Sequence, residues 1–380
     1  MIIMFVINLL RRLFVSIVCF FYRKTMIKDL KQLFDNNQEV KNIYQQGEVL
    51  FIKKWKILDK RVSPMSYRFY SNYIGENENI VPPDTARQYI EPILNQGECV
   101  KFYNDKNSFG LFINPEDMPK TLFRSIGYKL YDGEYNAVTS INFLSCFEGY
   151  NQIIVKPAKE LGGHGISFFE RKNGVLVDNN NVPLTLEYLE KNYKTDYLVQ
   201  ECFVQSNYIA QFNPTSVNTI RVNTYRDVNT GEIHVLGAAL RIGAKGSKVD
   251  NATSGGVIIG INEDGKLGQC AYDKYGCSYT IYNDIDFSNK EYIIPNFYDV
   301  KKFAIKISKR LPHMRLFALD IVLDATNTPK LIEVNSNNFS VKFLQLTKQP
   351  VFGEYTNDVI EYCKNNKQFL AIGFHQVIRK

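Results

Sequence analysis

The chain is 380 residues long, 45% hydrophobic and 22% charged, which excludes a largely disordered protein and leaves room for two or three packed units. Seven cysteines show no CxxC spacing and four histidines stand alone. Disulfide scaffold and zinc domain are therefore excluded, and reduced thiols in a cytoplasmic setting are expected. The net charge of +7 is uneven: residues 1–60 hold eleven Lys/Arg against five Asp/Glu, so the body is nearly neutral. It lacks the clustered bases that a nucleic-acid groove requires.

At the N-terminus two apolar runs, Ile2–Leu10 and Leu13–Tyr22, are split by Arg11-Arg12. A spanning helix wants about 20 uninterrupted apolar residues, and each central arginine costs roughly 2.5–3.5 kcal/mol on insertion. No small-x-small cleavage site precedes Lys24, which argues against a signal peptide. Residues 1–25 read instead as a helix lying in a membrane interface, with Arg23, Lys24, Lys28 and Lys31 drawn to anionic head groups. A hydrophobic helix docked on the body and a true span are the alternatives.

Residues 26–83 form a helical region, amphipathic over 26–75 through Ile27, Leu30, Leu33 and Phe34, and Val81-Pro82-Pro83 closes it. Residues 84–140 are mixed in pattern, with a polar island at Asn104–Asn107. Gln152–Val155 reads as a buried strand, Ile166–Phe169 as its return, Thr185–Tyr193 as a short helix and Tyr197–Glu201 as another strand. Five further strands follow at 219–225, 233–241, 256–261, 316–323 and 330–334, with a helix over 300–311 before the last two. With few crossover helices the class is α+β.

Three groups of residues carry chemistry. Asp320 and Glu333 lie in apolar strand patterns joined by a turn at Asp324–Pro329, a hairpin that brings them together. Asn335 shares the face of Glu333. Three oxygen donors in an apolar frame suit a hard divalent cation, chiefly magnesium with phosphates; a pair of solvent-facing strand residues is the bland alternative. Next, Lys156 leaves a strand beside Gly162, Gly163, His164 and Gly165, where backbone N–H groups and an ammonium can meet phosphate. Glycine-rich turns without a ligand are equally common, and neither familiar glycine signature is present. Finally, Arg221 and Arg241 within apolar strands need anionic partners, either phosphate or carboxylate of a ligand or a structural acid such as Asp250.

The spacing of Asp320, Glu333 and Asn335 resembles the metal signature of the ATP-grasp superfamily, and the order of the other pieces agrees. More narrowly, 213–221, Leu240–Gly243, Val249–Asn251 and Gly255-Gly256 resemble the sugar-transfer-associated branch. The resemblance covers roughly 95–345 and implies an ATP-grasp fold, two α+β lobes clasping ATP, behind a helical N-terminal extension. With the N-terminal pieces read above, the chain divides into 1–25, 26–83, a pre-ATP-grasp region 84–140, a small lobe 141–212, a large lobe with the metal site 213–350 and a helical tail 351–380. It further implies that Lys106 and Lys156 bind phosphate, that 160–165 is a flap, and that Gln200, Glu201 and Phe203 form the adenine hinge. Arg221, Arg241, Asn218 and Asp250 become the catalytic set, with Asp250 as a base. Two departures stand out. No acid follows Glu201 for the ribose, leaving Gln205 or Asn207, and Ala318 replaces the arginine usual two residues before the metal aspartate, leaving Arg221 or Arg241 to hold the phosphoryl group.

What the resemblance implies is a ligase using ATP and Mg2+ to join a carboxylate-bearing sugar or glycan precursor to an amine for surface polysaccharide or capsule, at the cytoplasmic face of the membrane. A kinase acting on a sugar-type hydroxyl and a nucleotide-binding scaffold of a glycan-assembly complex are the rivals. A partner nucleic acid is not expected.

Overall fold

The computed structural model describes residues 2–95, 97–160, 164–336 and 339–367. One helix, Ile2–Asn36, joins the apolar runs to the first part of the amphipathic region. Helices Glu48–Trp55 and Met65–Ile74 follow, so the stretch 26–75 is helical in three pieces. The first break is at Asn37, whose amide donates to Tyr73 Oη (2.8 Å) and the Gly276 carbonyl (3.0 Å). Among the described residues no helix is long and apolar enough to cross a membrane. The side chains of Arg11 and Arg12 lie outside those described.

Arg23 corrects the sequence reading. It is buried, joined to the Asp59 carboxylate and the Arg61 carbonyl, and 3.8 Å from Asp84. With Cys19, Leu30 and Leu33 it fastens the second half of the helix to the body. Its charge is spent inside the protein and cannot serve a head group.

The first sheet has six strands: β1 (Thr121–Ile126), β2 (Lys129–Asp132), β3 (Gln152–Pro157), β4 (Ser167–Lys172), β5 (Val175–Val177) and β6 (Tyr197–Glu201). They run in the order β2-β1-β6-β3-β4-β5, every pairing antiparallel. Phe123, Phe147, Ile153, Val155, Phe169 and Val199 build its core. β1 and β2, which precede residue 141, belong to this same sheet. Arg124 disguised β1 in the sequence. It is buried in mid-strand, 3.8 Å from the Tyr135 ring, and donates to the Asn107 and Gly133 carbonyls at 2.8 and 2.9 Å.

The second sheet holds β7 (Thr219–Arg226), β8 (Ile233–Ile242), β9 (Val257–Ile261), β10 (Ala271–Tyr272) and β11 (Ser278–Tyr279). A separate hairpin of β12 (Ile281–Tyr282) and β13 (Ile285–Asp286) precedes β14 (Leu316–Leu323) and β15 (Pro329–Asn335). The seven strands order as β11-β10-β9-β8-β7-β14-β15. The helix Phe297–Lys309 lays Val300, Phe303, Ala304 and Ile307 on one face of this sheet. Period-two alternation then sets the other face: Ile220, Val222, Leu240, Ile242, Leu319 and Ile321 enter the core, which turns Arg221, Arg241 and Asp320 away from it.

On β15 alternation alone would fail, because Leu331 and Val334 are both core residues. A bulge between Asp320 and Ile321 resolves this: Asp320 pairs with Glu333 while Ile321 pairs with Leu331, so Ile332 is the extra residue. Glu333 and Asn335 thereby come to the same side as Asp320.

Candidate functional site

A cavity of about 1030 Å³ is lined by residues of both sheets. Ile154, Lys156 and Phe168 come from the first sheet; Arg221, Arg241 and Asp320 come from the second. Gln200, Glu201, Cys202 and Phe203, at the end of β6 where the chain leaves the first sheet, line it as well. The size suits a nucleotide with part of a second substrate.

Asp320 is its electrostatic centre. Arg221 holds it with two bonds of 2.7 and 2.6 Å, and Arg241 adds one of 2.9 Å. Burial alone would raise the Asp320 pKa, but the two guanidinium groups outweigh burial and hold the carboxyl below its ordinary range. Arg241 also lies 3.4 Å from Asp250, which accepts from the Thr219 hydroxyl and, at 3.2 Å, from the Thr219 N–H. Burial pushes the Asp250 carboxyl up, with Arg241 opposing. The sequence reading left Arg241 to a ligand or to Asp250; the fold gives it two acids and gives Asp320 two arginines.

Two lysines form a second charge centre. Lys106 Nζ is 2.8 Å from Glu333 Oε1 and 2.8 Å from the Glu160 carbonyl, so it links β15 to the start of the glycine-rich loop. Burial, with Lys106 nearby, lowers the Lys156 pKa to about 8 against a counter-pull from Glu333. Gly162 and Gly163 lie outside the described residues. His164 is exposed and lines the cavity. Gly165 has φ +71°, and a Cβ there would meet Pro157 Cγ at 2.9 Å, so the loop needs glycine at this point.

Several expected site residues have structural work. Asn218 is fully buried and donates to the Ile209 and Asn213 carbonyls at 3.1 and 2.9 Å and to Gln205 Oε1 at 3.1 Å. It ties a loop together and is not among the residues lining the cavity. Gln205 lines the cavity, but its side chain is already bonded within the protein. Its amide nitrogen serves the Asn213 and Ser216 carbonyls and its oxygen accepts from Asn218. Asn207 is exposed and away from the cavity lining. Gln200 donates to the Pro119 carbonyl and Thr121 Oγ1, and Glu201 accepts from the Lys120 N–H, so both side chains hold β6 to the start of β1.

Sequence reasoning missed Lys248 and Thr219. Lys248 lies in the loop after β8, yet reaches Asn179 Oδ1 at 2.6 Å and covers the Phe168 ring at 5.2 Å, joining the two lobes across the cavity. No local pattern announces such a long-range contact.

Among the described residues no cluster of three His, Cys, Asp or Glu side chains could hold a metal. The available donors are two carboxylates and an amide: Asp320, Glu333 and Asn335, the last with its Nδ2 3.4 Å from Asp320 Oδ2. Hard oxygen donors of this kind fit magnesium chemically. Arg221, Arg241 and Lys106 now balance their charge, so a divalent ion with phosphates would have to share these partners.

A family model described as sugar-transfer associated ATP-grasp matches residues 85–360. The chain belongs to this family. No curated protein matches the sequence. Among solved structures, D-alanine–D-alanine ligase from Bacillus anthracis is 13% identical, covering 72% of this chain and 71% of its own, with a TM-score of 0.38. The ATP-grasp ligase PsnB, solved with a minimal precursor variant, Mg and ADP, is 13% identical over 71% of this chain and 61% of its own, with a TM-score of 0.39. L-amino acid ligase from Bacillus licheniformis is 14% identical over 63% of this chain, which spans only 41% of that ligase, at a TM-score of 0.32. The family match fixes the fold as ATP-grasp, preceded here by the helical region; resemblances this remote carry no residue roles across.

Proposed function

We propose that the protein is an ATP-dependent carboxylate–amine ligase that forms an amide on a sugar or surface-polysaccharide precursor. The observation that carries this reading is the charge layout of the cavity, with Arg221 and Arg241 on one wall and Lys156 on the other. An oxygen of the substrate carboxylate attacks the γ-phosphorus and the bond to ADP breaks, giving an acyl phosphate. Arg221 and Arg241 each exchange part of their hold on Asp320 for the transferring oxygens, while Lys106 and Lys156 neutralise the phosphate chain. Magnesium, when held by Asp320, Glu333 and Asn335, supplies further neutralisation of the phosphates.

The amine then attacks the acyl carbon, phosphate leaves, and the surplus amine proton passes to a base. Asp250 fits that part because its raised pKa makes it a better proton acceptor than an ordinary carboxylate. Closure of the segment carrying His164 and Gly165 keeps water from the acyl phosphate. The proposed reaction takes place at the cytoplasmic face of a membrane.

The test is ADP release screened against uronic-acid sugars and amino acids, with hydroxylamine as trap. An acyl phosphate yields a hydroxamate and free phosphate when the amine is omitted. A stable phosphorylated sugar without hydroxamate would make the protein a kinase, and absence of ADP formation with any acceptor would leave it a nucleotide-binding scaffold.

A further inference from the structure

The helix Ile2–Asn36 carries two rows on opposite sides. Cys19, Arg23, Leu30 and Leu33 are buried on the body. The outer row steps by three and four through Val6, Leu10, Leu13, Ile17 and Phe21, then continues through Lys24, Lys28 and Lys31, and every one of these is exposed. Leu10 is 59% and Phe21 63% exposed, so none of the described residues covers the row. One face thus changes from apolar to basic at Phe21.

We propose that this face docks the protein on an anionic lipid bilayer. The helix lies along the surface, its apolar row among the acyl chains and Lys24, Lys28 and Lys31 against the head groups. Two observations select lipid over a second copy of the chain. The lysines continue the same row and need a dense negative surface, whereas that row of another copy offers only Asp35 after Lys31. The buried row on the opposite side holds the body off the surface, and the Arg23–Asp59 ion pair fastens it there. The proposal rests on the functional reading only for which face of the membrane is used; its test involves no ATP chemistry.

The full chain is sedimented with vesicles of phosphatidylcholine alone and of phosphatidylcholine with phosphatidylglycerol. It should bind the anionic vesicles more tightly. Leu13→Glu with Phe21→Glu should lower that affinity by at least 100-fold at an unchanged melting temperature, since both positions are exposed. Lys24→Gln, Lys28→Gln and Lys31→Gln together should lower it about 100-fold, roughly fivefold for each lysine, with little effect on neutral vesicles. Salt should reproduce the loss from the lysine variants and not that from Leu13→Glu with Phe21→Glu. Failure to bind anionic vesicles, or binding that survives Leu13→Glu with Phe21→Glu, overturns the proposal. So does a vesicle-free dimer that those two substitutions convert to monomer. Deleting residues 1–24 is a poorer experiment, because it also removes the buried Arg23.

Discussion

Arg221 and Asp320 face each other directly across β7 and β14, and the guanidinium grips both carboxylate oxygens at 2.7 and 2.6 Å. With Arg241 on the same acid, one buried carboxylate faces two half-buried cations, of which Arg241 also has Asp250. Asp320 therefore has a structural duty as well as its proposed role at the phosphates.

The first prediction separates these duties. Asp320→Asn should end ADP formation and also cost about 3–5 kcal/mol of stability, because two arginines lose their buried counter-charge. Glu333→Gln should end ADP formation with a much smaller stability loss, since Glu333 is partly exposed and, among the described residues, only Lys106 pairs with it. Thermal melts and an ADP assay on both variants decide the matter. Equal stability loss would show that the two carboxylates are not distinct in this way.

A second prediction concerns pH. Lys156 is held to about 8 by burial and by Lys106, below the ordinary lysine value. Its folded pKa is depressed, so its charged form disfavours folding below pH 8, and this penalty is relieved as pH rises from 8 toward the unfolded value of about 10.4. ATP binding should follow the opposite course, because the ammonium that meets phosphate is lost over the same range. Affinity measured calorimetrically should fall by up to about 30-fold between pH 7 and 9.5. Lys156→Arg should flatten the curve, since an arginine stays charged. A decline that persists in Lys156→Arg would assign it to another group.

Asn218 provides a third. Its amide satisfies two backbone carbonyls and Gln205, so Asn218→Ala should destabilise by about 1–3 kcal/mol through stranded buried acceptors. Turnover per folded molecule should stay within a few-fold of the parent at a temperature well below both melts. A large fall in kcat with an unchanged melt would return Asn218 to the catalytic set.

The β14–β15 hairpin was legible because its turn, its apolar runs and the opposition of Asp320 to Glu333 are all local. The extra residue Ile332 was not, since a bulge leaves no mark on a run of apolar residues. β1 was hidden by Arg124, a charge that only a distant tyrosine and two carbonyls make tolerable in mid-strand. Asn218 and Arg23 share one feature: a polar residue looks available for a ligand until burial shows that it is already bonded. The arginine partners of Asp320 lie 99 and 79 residues away along the chain, beyond any spacing rule.

The last prediction tests how the N-terminal helix is joined to the body. Arg23 is the buried cation between Asp59 and Asp84. Both oxygens of Asp84 lack a hydrogen-bond partner, and burial raises its pKa although Arg23 pulls it down. Arg23→Ala should leave two buried carboxylates without a counter-charge and cost about 3–5 kcal/mol at neutral pH. An acid whose folded pKa is raised loses stability as pH climbs from its unfolded value through the folded one, and removing Arg23 raises the Asp84 pKa further. The deficit of Arg23→Ala relative to the parent should therefore shrink as pH falls from 7.5 toward 5. Arg23→Ala with Asp84→Asn should recover part of the loss at pH 7.5 without acid. Melts of the parent and both variants across that range are the measurement. A pH-independent deficit, or no recovery in the double variant, would mean that the helix is held by Cys19, Leu30 and Leu33 and that the charge pair contributes little.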